Sequence, residues 1–190
     1  MKLRIIKIFF LALICFNVSG QTAPDNFKNP ILSGFYPDPS ICRVGDTYYM
    51  VNSSFEWFPG LPIHKSKDLV NWKLIGYGLS KSTQINYPDG LGNSQGIFAP
   101  TIRHHNGTFY IICTMVGGDG NFIITAKDPS NSWSDPIWIE DAPGIDPSLF
   151  WDDDGKCYYT GAGIVDNSQN KWPGKNGVWM QEINPDKGEL

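Results

Sequence analysis

The sequence predicts an all-β fold, a β-propeller of which about three blades are present, and three observations carry that expectation. A short opening recurs three times: Asp38-Pro39-Ser40-Ile41, Ala99-Pro100-Thr101-Ile102 and Asp146-Pro147-Ser148-Leu149. Each opening is followed by a tight-turn signal (Gly45-Asp46, Asn106-Gly107, Asp154-Gly155) and then by an aromatic, β-rich run (Tyr48-Tyr49-Met50-Val51, Phe109-Tyr110-Ile111-Ile112, Tyr158-Tyr159-Thr160), the signature of a hairpin. A second motif follows in the first two units, Ser66-Lys67-Asp68-Leu69-Val70-Asn71-Trp72 echoed by Ala126-Lys127-Asp128-Pro129-Ser130-Asn131-Ser132-Trp133. A hairpin, a third strand closed by that turn and an outer strand make four strands per unit, which is the blade of a propeller. No segment carries sustained helical periodicity.

The chain begins with Met1 to Gly20, which has a basic start (Lys2, Arg4, Lys7), an apolar run from Ile8 to Phe16 and a small-residue end. This reads as a secretory signal peptide cleaved before Gln21, too short in its apolar run to span a bilayer. The expected location is therefore secreted or periplasmic, with no membrane association after cleavage. Removing three of the fifteen bases and none of the nineteen acids takes the formal charge from −4 to −7, which argues against nucleic acid as a partner. Residues 21–30 form a polar leader. Cys42, Cys113 and Cys157 all fall in strand-like runs with no zinc or disulfide spacing, so they read as small buried hydrophobes.

Residues 31–190 then hold blades one to three. The prolines that open them are 61 and 47 residues apart, a loose period that variable loops between blades accommodate. In unit one the outer strand runs from Lys73 to Tyr77, and in unit two from Ile137 to Glu140. Three blades do not close a ring, since propellers use about four to eight. The expectation is an N-terminal fragment of a longer propeller whose open strand edges favour aggregation when it is expressed alone.

The innermost strand of each blade lines the central channel, so Asp38 and Asp146 are expected to converge at its mouth. Proline after each removes a backbone donor and favours an extended residue before it. Because the second copy carries Ala99, the motif does not need the acid, and the two Asp residues read as chemistry rather than turn formation. Converging carboxylates among aromatics suit glycoside hydrolysis, where one activates water and another protonates the leaving oxygen. Other candidates read blandly. His104 and His105 are adjacent on a strand and face opposite ways, so they do not pair on a metal. Asp152-Asp153-Asp154-Gly155 lacks calcium-loop alternation and reads as a hairpin tip. Gly117-Gly118-Asp119-Gly120 precedes a strand, not the helix a phosphate loop needs. Glu56 is either a sugar contact or a solvated loop acid, and Trp72 and Trp133 read as blade-packing residues. No metal and no cofactor are expected.

Asn29-Pro30-Ile31-Leu32 through Tyr36-Pro37-Asp38-Pro39-Ser40, Ser53-Ser54-Phe55-Glu56-Trp57-Phe58-Pro59-Gly60, Phe98-Ala99-Pro100-Thr101 and Asp146-Pro147-Ser148-Leu149-Phe150 together resemble glycoside hydrolase family 43, over nearly all of the mature chain. The resemblance implies a five-bladed propeller of the β-xylosidase or α-L-arabinofuranosidase type, inverting, that removes terminal xylose or L-arabinofuranose from plant polysaccharide or oligosaccharide. It implies Asp38 as general base and Asp146 as the acid that orients the proton donor and raises its pKa. It places Phe55 and Phe98 on the terminal sugar, with Trp57 on the same rim. The family's proton donor is a blade-four Glu in a Glu-Gly-Pro-His-like context, which does not occur here, so residues 1–190 alone are expected to be inactive. The rival expectations are a carbohydrate-binding propeller without catalysis and, ranked lower, a fructan hydrolase.

Overall fold

A computed structural model describes residues 26–163 and 177–190. The expected signal peptide, 1–20, lies outside them. The described chain is all-β: twelve strands in three antiparallel sheets laid side by side, one per repeat. Blade one is β1 (Ser40–Val44), β2 (Thr47–Val51), β3 (Gly60–Ser66) and β4 (Lys73–Leu79), paired in that order. Blade two is a short β5 (Gly96–Ile97), then β6 (Thr101–His105), β7 (Thr108–Val116), β8 (Gly120–Ala126) and β9 (Ile137–Trp138), with β5 and β6 both on the inner edge of β7. Blade three is β10 (Ile145–Trp151), β11 (Cys157–Gly163) and β12 (Gly177–Glu182).

Each predicted hairpin forms where its turn signal stands. The tip at Asp152 to Gly155 is a reverse turn in which Gly155 N donates to Asp152 O at 3.0 Å. The Lys-Asp motif has a local cause. Asp68 accepts from Val70 N at 2.9 Å and from Asn71 N and Asn71 Nδ2, each at 2.7 Å, while Asp128 accepts from Ser130 N at 2.9 Å and Asn131 Nδ2 at 3.0 Å. Side-chain acceptors of this kind turn a strand end in place of a ladder bond. The Asn71 donors hold the Asp68 carboxyl far below the usual carboxylate range, and Ser130 lowers Asp128 in the same way.

Side chains alternate along each strand, so every blade buries one face on each neighbour. Between blades one and two lies a cluster containing Val51, Leu61, Ile63, Ile102, Ile111, Phe122 and Trp133. Tyr110, Ile112, Ile123, Leu149 and Tyr159 form the next, between blades two and three. His104 packs on Phe109 and His105 stacks on Trp151, so the two imidazoles do leave the strand on opposite sides. The tryptophan pair splits: Trp133 is 2% exposed in the first cluster, whereas Trp72 is only half-buried beside Pro30, Ile31 and Met50. Among the described residues Cys42, Cys113 and Cys157 are unpaired thiols on β1, β7 and β11, and burial pushes Cys42 up to about 11 and Cys157 up to about 12.

The hydroxyl after each motif proline stitches the blades together on their channel side. Ser40 Oγ accepts from Ile102 N at 3.1 Å, Thr101 Oγ1 donates to Pro147 O at 2.8 Å, and Ser148 Oγ accepts from Arg103 Nη2 at 2.9 Å. Arg103 Nε also donates to Leu149 O at 3.1 Å. The Pro-Ser and Pro-Thr repeat is thus a row of cross-blade hydrogen bonds.

Candidate active site

Asp38 and Asp146 both sit exposed at the start of an innermost strand, on the end of the blades opposite the hairpin tips. Their backbone differs from the expected extended form. Asp38 has φ 50° and Asp146 φ 57°, both left-handed, whereas Ala99 is not among the non-glycine residues with positive φ. Tertiary contacts have overridden the local preference of a residue before proline. Short polar side chains tolerate this region better than alanine, so Ala99 and the two acids are not conformational equivalents. Positive φ is thus shared by the two acids and absent from the third copy.

Local hydrogen bonds account for the Asp38 turn. Ser53 N and Asn52 Nδ2 donate to Pro37 O at 3.2 and 3.0 Å, and the Ser53 hydroxyl donates to Asp38 Oδ2. Asn52 and Ser53 are themselves buried. One oxygen of the carboxylate is held from below, which leaves Oδ1 for the channel.

Both acids act electrostatically on one buried thiol, Cys113. This thiol is fully buried on β7 and donates to Phe98 O at 3.2 Å. Burial raises its pKa far above the usual thiol value, and the charges of Asp146 and Asp38 both push it further in the same direction. Phe98, one residue before Ala99, is therefore tied by its carbonyl to the residue the acids share as a neighbour.

Phe55 and Phe98 form an edge-to-face pair with ring centroids 5.5 Å apart. An inter-blade bridge holds Phe55: its N–H donates to Ile97 O at 2.9 Å and its carbonyl accepts from Ile97 N at 3.0 Å. The approach is so close that a Cβ on Gly96, at φ 97°, would stand 2.5 Å from Phe55 O. Trp57 is 66% exposed and, with Ser53, Phe35 and His64, lines a cavity of about 540 Å³ on blade one, and Phe35 also packs on Phe55 with ring centroids 5.9 Å apart. Glu56 accepts from Ser94 N at 3.1 Å, which ties the rim loop to the connection between blades one and two.

The sequence reading overlooked Ser53, Thr114 and Asn121. Ser53 stands in the Ser-Ser-Phe-Glu-Trp run, so proximity to an aromatic rim was its only signal. Among the described residues no group of three His, Cys, Asp or Glu side chains is arranged to hold a metal ion.

The model of glycosyl hydrolases family 43 matches residues 27–190. A xylosidase/arabinosidase of Butyrivibrio fibrisolvens is 51% identical over 86% of this chain and 31% of its own. A non-reducing end alpha-L-arabinofuranosidase of Bacteroides ovatus is 48% identical over 80% of this chain and 28% of its own. The crystal structure of a xylan beta-1,4-xylosidase from Bacillus halodurans superposes with a TM-score of 0.77 at 41% identity, covering 87% of this chain and 32% of that one. The chain thus spans about a third of the length of the curated relatives it matches. With the repeated acid openings, the aromatic pair and the family match all falling on the same blades, the chain belongs to glycosyl hydrolases family 43.

Proposed function

We propose that the protein is a secreted or periplasmic glycosidase of the xylosidase/arabinosidase type, acting with inversion on terminal xylose or L-arabinofuranose of plant polysaccharide or oligosaccharide. The observation that carries this reading is the family match over residues 27–190, with Asp38 and Asp146 at the openings of blades one and three and the Phe55–Phe98 pair between blades one and two.

In this reading Asp38 is the general base. Held at Oδ2 by Ser53, it takes a proton from water at Oδ1 as that water attacks the anomeric carbon. The bond to the leaving oxygen breaks as that oxygen is protonated by a carboxylic acid standing about 6.5–9.5 Å away, the spacing an inverting reaction needs for its water. Asp146 is the third acid. Its negative charge disfavours ionisation of the proton donor and keeps that donor protonated near neutral pH. Phe55 and Phe98 supply an apolar face for the sugar ring. Neither Glu182 nor Glu189 fits the donor: Glu182 pairs with Lys156 at 2.7 Å on β12, and Glu189 faces Lys187 at 3.7 Å.

The test is hydrolysis of nitrophenyl β-xyloside and nitrophenyl α-L-arabinofuranoside by the protein as its gene encodes it, beside Asp38→Asn. Turnover lost in the variant with sugar binding retained supports the reading. Sugar binding without turnover in both forms would instead identify a carbohydrate-binding propeller.

A further inference from the structure

The approach to Asp146 is held from blade two. Thr114 on β7 and Asn121 on β8 are directly opposed in the ladder, so their side chains leave the sheet on one face. Both are buried, at 3% and 1% exposure. Thr114 Oγ1 donates to Asn121 Oδ1 at 2.6 Å, and Asn121 Nδ2 donates to Ala142 O at 2.8 Å and Gly144 O at 3.2 Å. The Asn121 amide thus uses its oxygen and both its hydrogens, and its two donors end on the segment that delivers the chain to Asp146.

That segment is pinned from its other side as well. Gly144 has φ 89°, and a Cβ there would lie 1.8 Å from Ala162 O, so the backbone passes directly over β11. Two residues on, the chain reaches Asp146 at φ 57°. Thr114 also serves the sugar side of the site, because its carbonyl accepts from Phe98 N at 3.0 Å. One residue therefore turns its hydroxyl toward the acid's approach and its carbonyl toward the aromatic seat.

We propose that Thr114 and Asn121 are positioning residues for Asp146, fixing where its carboxylate stands relative to the sugar seat at Phe98. This rests on the reading of Asp146 as the third acid. An error of about 1 Å in a group that acts on the reacting centre can cost about a hundredfold in rate, which is the service such a buried network performs.

Thr114→Val in the protein as its gene encodes it deletes the hydroxyl, retains the volume and leaves the carbonyl that seats Phe98. The expected result is a fall in kcat of about 10- to 100-fold with KM within about twofold of wild type. Thr114→Ser, which restores the hydroxyl, should recover most of that loss. Hydrogen exchange at the amides of Ala142, Gly144, Ile145 and Asp146 should quicken in the Val variant and return in the Ser variant. Unchanged exchange in Thr114→Val overturns the proposal whatever the activity. So does quickened exchange with kcat unaltered, or a Ser variant as slow as the Val variant. If wild type hydrolyses no glycoside, the catalytic reading fails on its own account, and the exchange contrast still reports whether the network holds the segment.

Discussion

Blade two differs from the two blades that flank it. Both its faces are buried, Ile111, Phe122 and Trp133 against blade one and Tyr110, Ile112 and Ile123 against blade three, and its opening carries Ala99. Blades one and three open on Asp38 and Asp146, and in the described chain they expose apolar side chains outward: Ile41 and Leu74 on blade one, Phe150, Val178 and Met180 on blade three. The same Pro-hydroxyl sequence serves all three. The position before proline is therefore where the blades divide their labour: blade two supplies rigidity, and its neighbours hold strained acids against it.

The comparison breaks most visibly at the acids. Asp146→Asn should lower kcat/KM about 100-fold or more while leaving the unfolding midpoint close to wild type, since Asn tolerates the left-handed backbone. Asp146→Ala should lose the same activity and about 1 kcal/mol of stability besides, read from urea unfolding. Equal stability of the two variants would mean that φ 57° carries no strain. Next come the tryptophans. Trp133→Ala should cost about 3–5 kcal/mol, because it empties a site that is 2% exposed, and Trp72→Ala distinctly less. Equal losses would show that the half-buried Trp72 is as tightly packed as its counterpart.

A smaller effect tests the row of hydroxyls. Ser40→Ala strands the Ile102 N–H and should cost about 1–3 kcal/mol, against about 1 kcal/mol for Thr101→Val, which deletes a donor and leaves a carbonyl with a second lone pair. The smallest is a pH effect. Burial holds the His64 imidazole below its usual range, and His104 is lowered in the same sense. The unfolded chain then binds these protons first as pH falls, so stability is greatest above the ordinary imidazole range and declines on acidification through and below about pH 6.5. His64→Gln should flatten that slope in unfolding curves taken from about pH 7 to 5, and an unaltered slope would assign it to other groups.

Much of this was legible in the sequence because repeats can be checked against themselves. Three copies of a hairpin signal located the blades, and the acid in two of the three singled out Asp38 and Asp146. What escaped was set by contacts between blades. The extended backbone expected before proline is a local rule, and Ser53, Asn52 and Asn121 override it from outside the motif. Thr114 and Asn121 look in sequence like interruptions of a β-rich run, because a polar residue in a strand reveals its worth only when its partner across the ladder is known. Trp72 and Trp133 share a motif yet differ in burial, since a motif fixes the turn and leaves open what lies against it.

The bridge between Phe55 and Ile97 has a consequence for how the molecule comes together. It joins a loop of blade one to the opening strand of blade two, so the aromatic floor of the site is not the property of either sheet. Blade one can form its hairpins from local contacts alone, yet Phe55 reaches its final place only once blade two has docked against it. Assembly of the site is thereby a late event that depends on contacts distant in sequence, and its first loosening should occur at this seam, ahead of the sheets on either side.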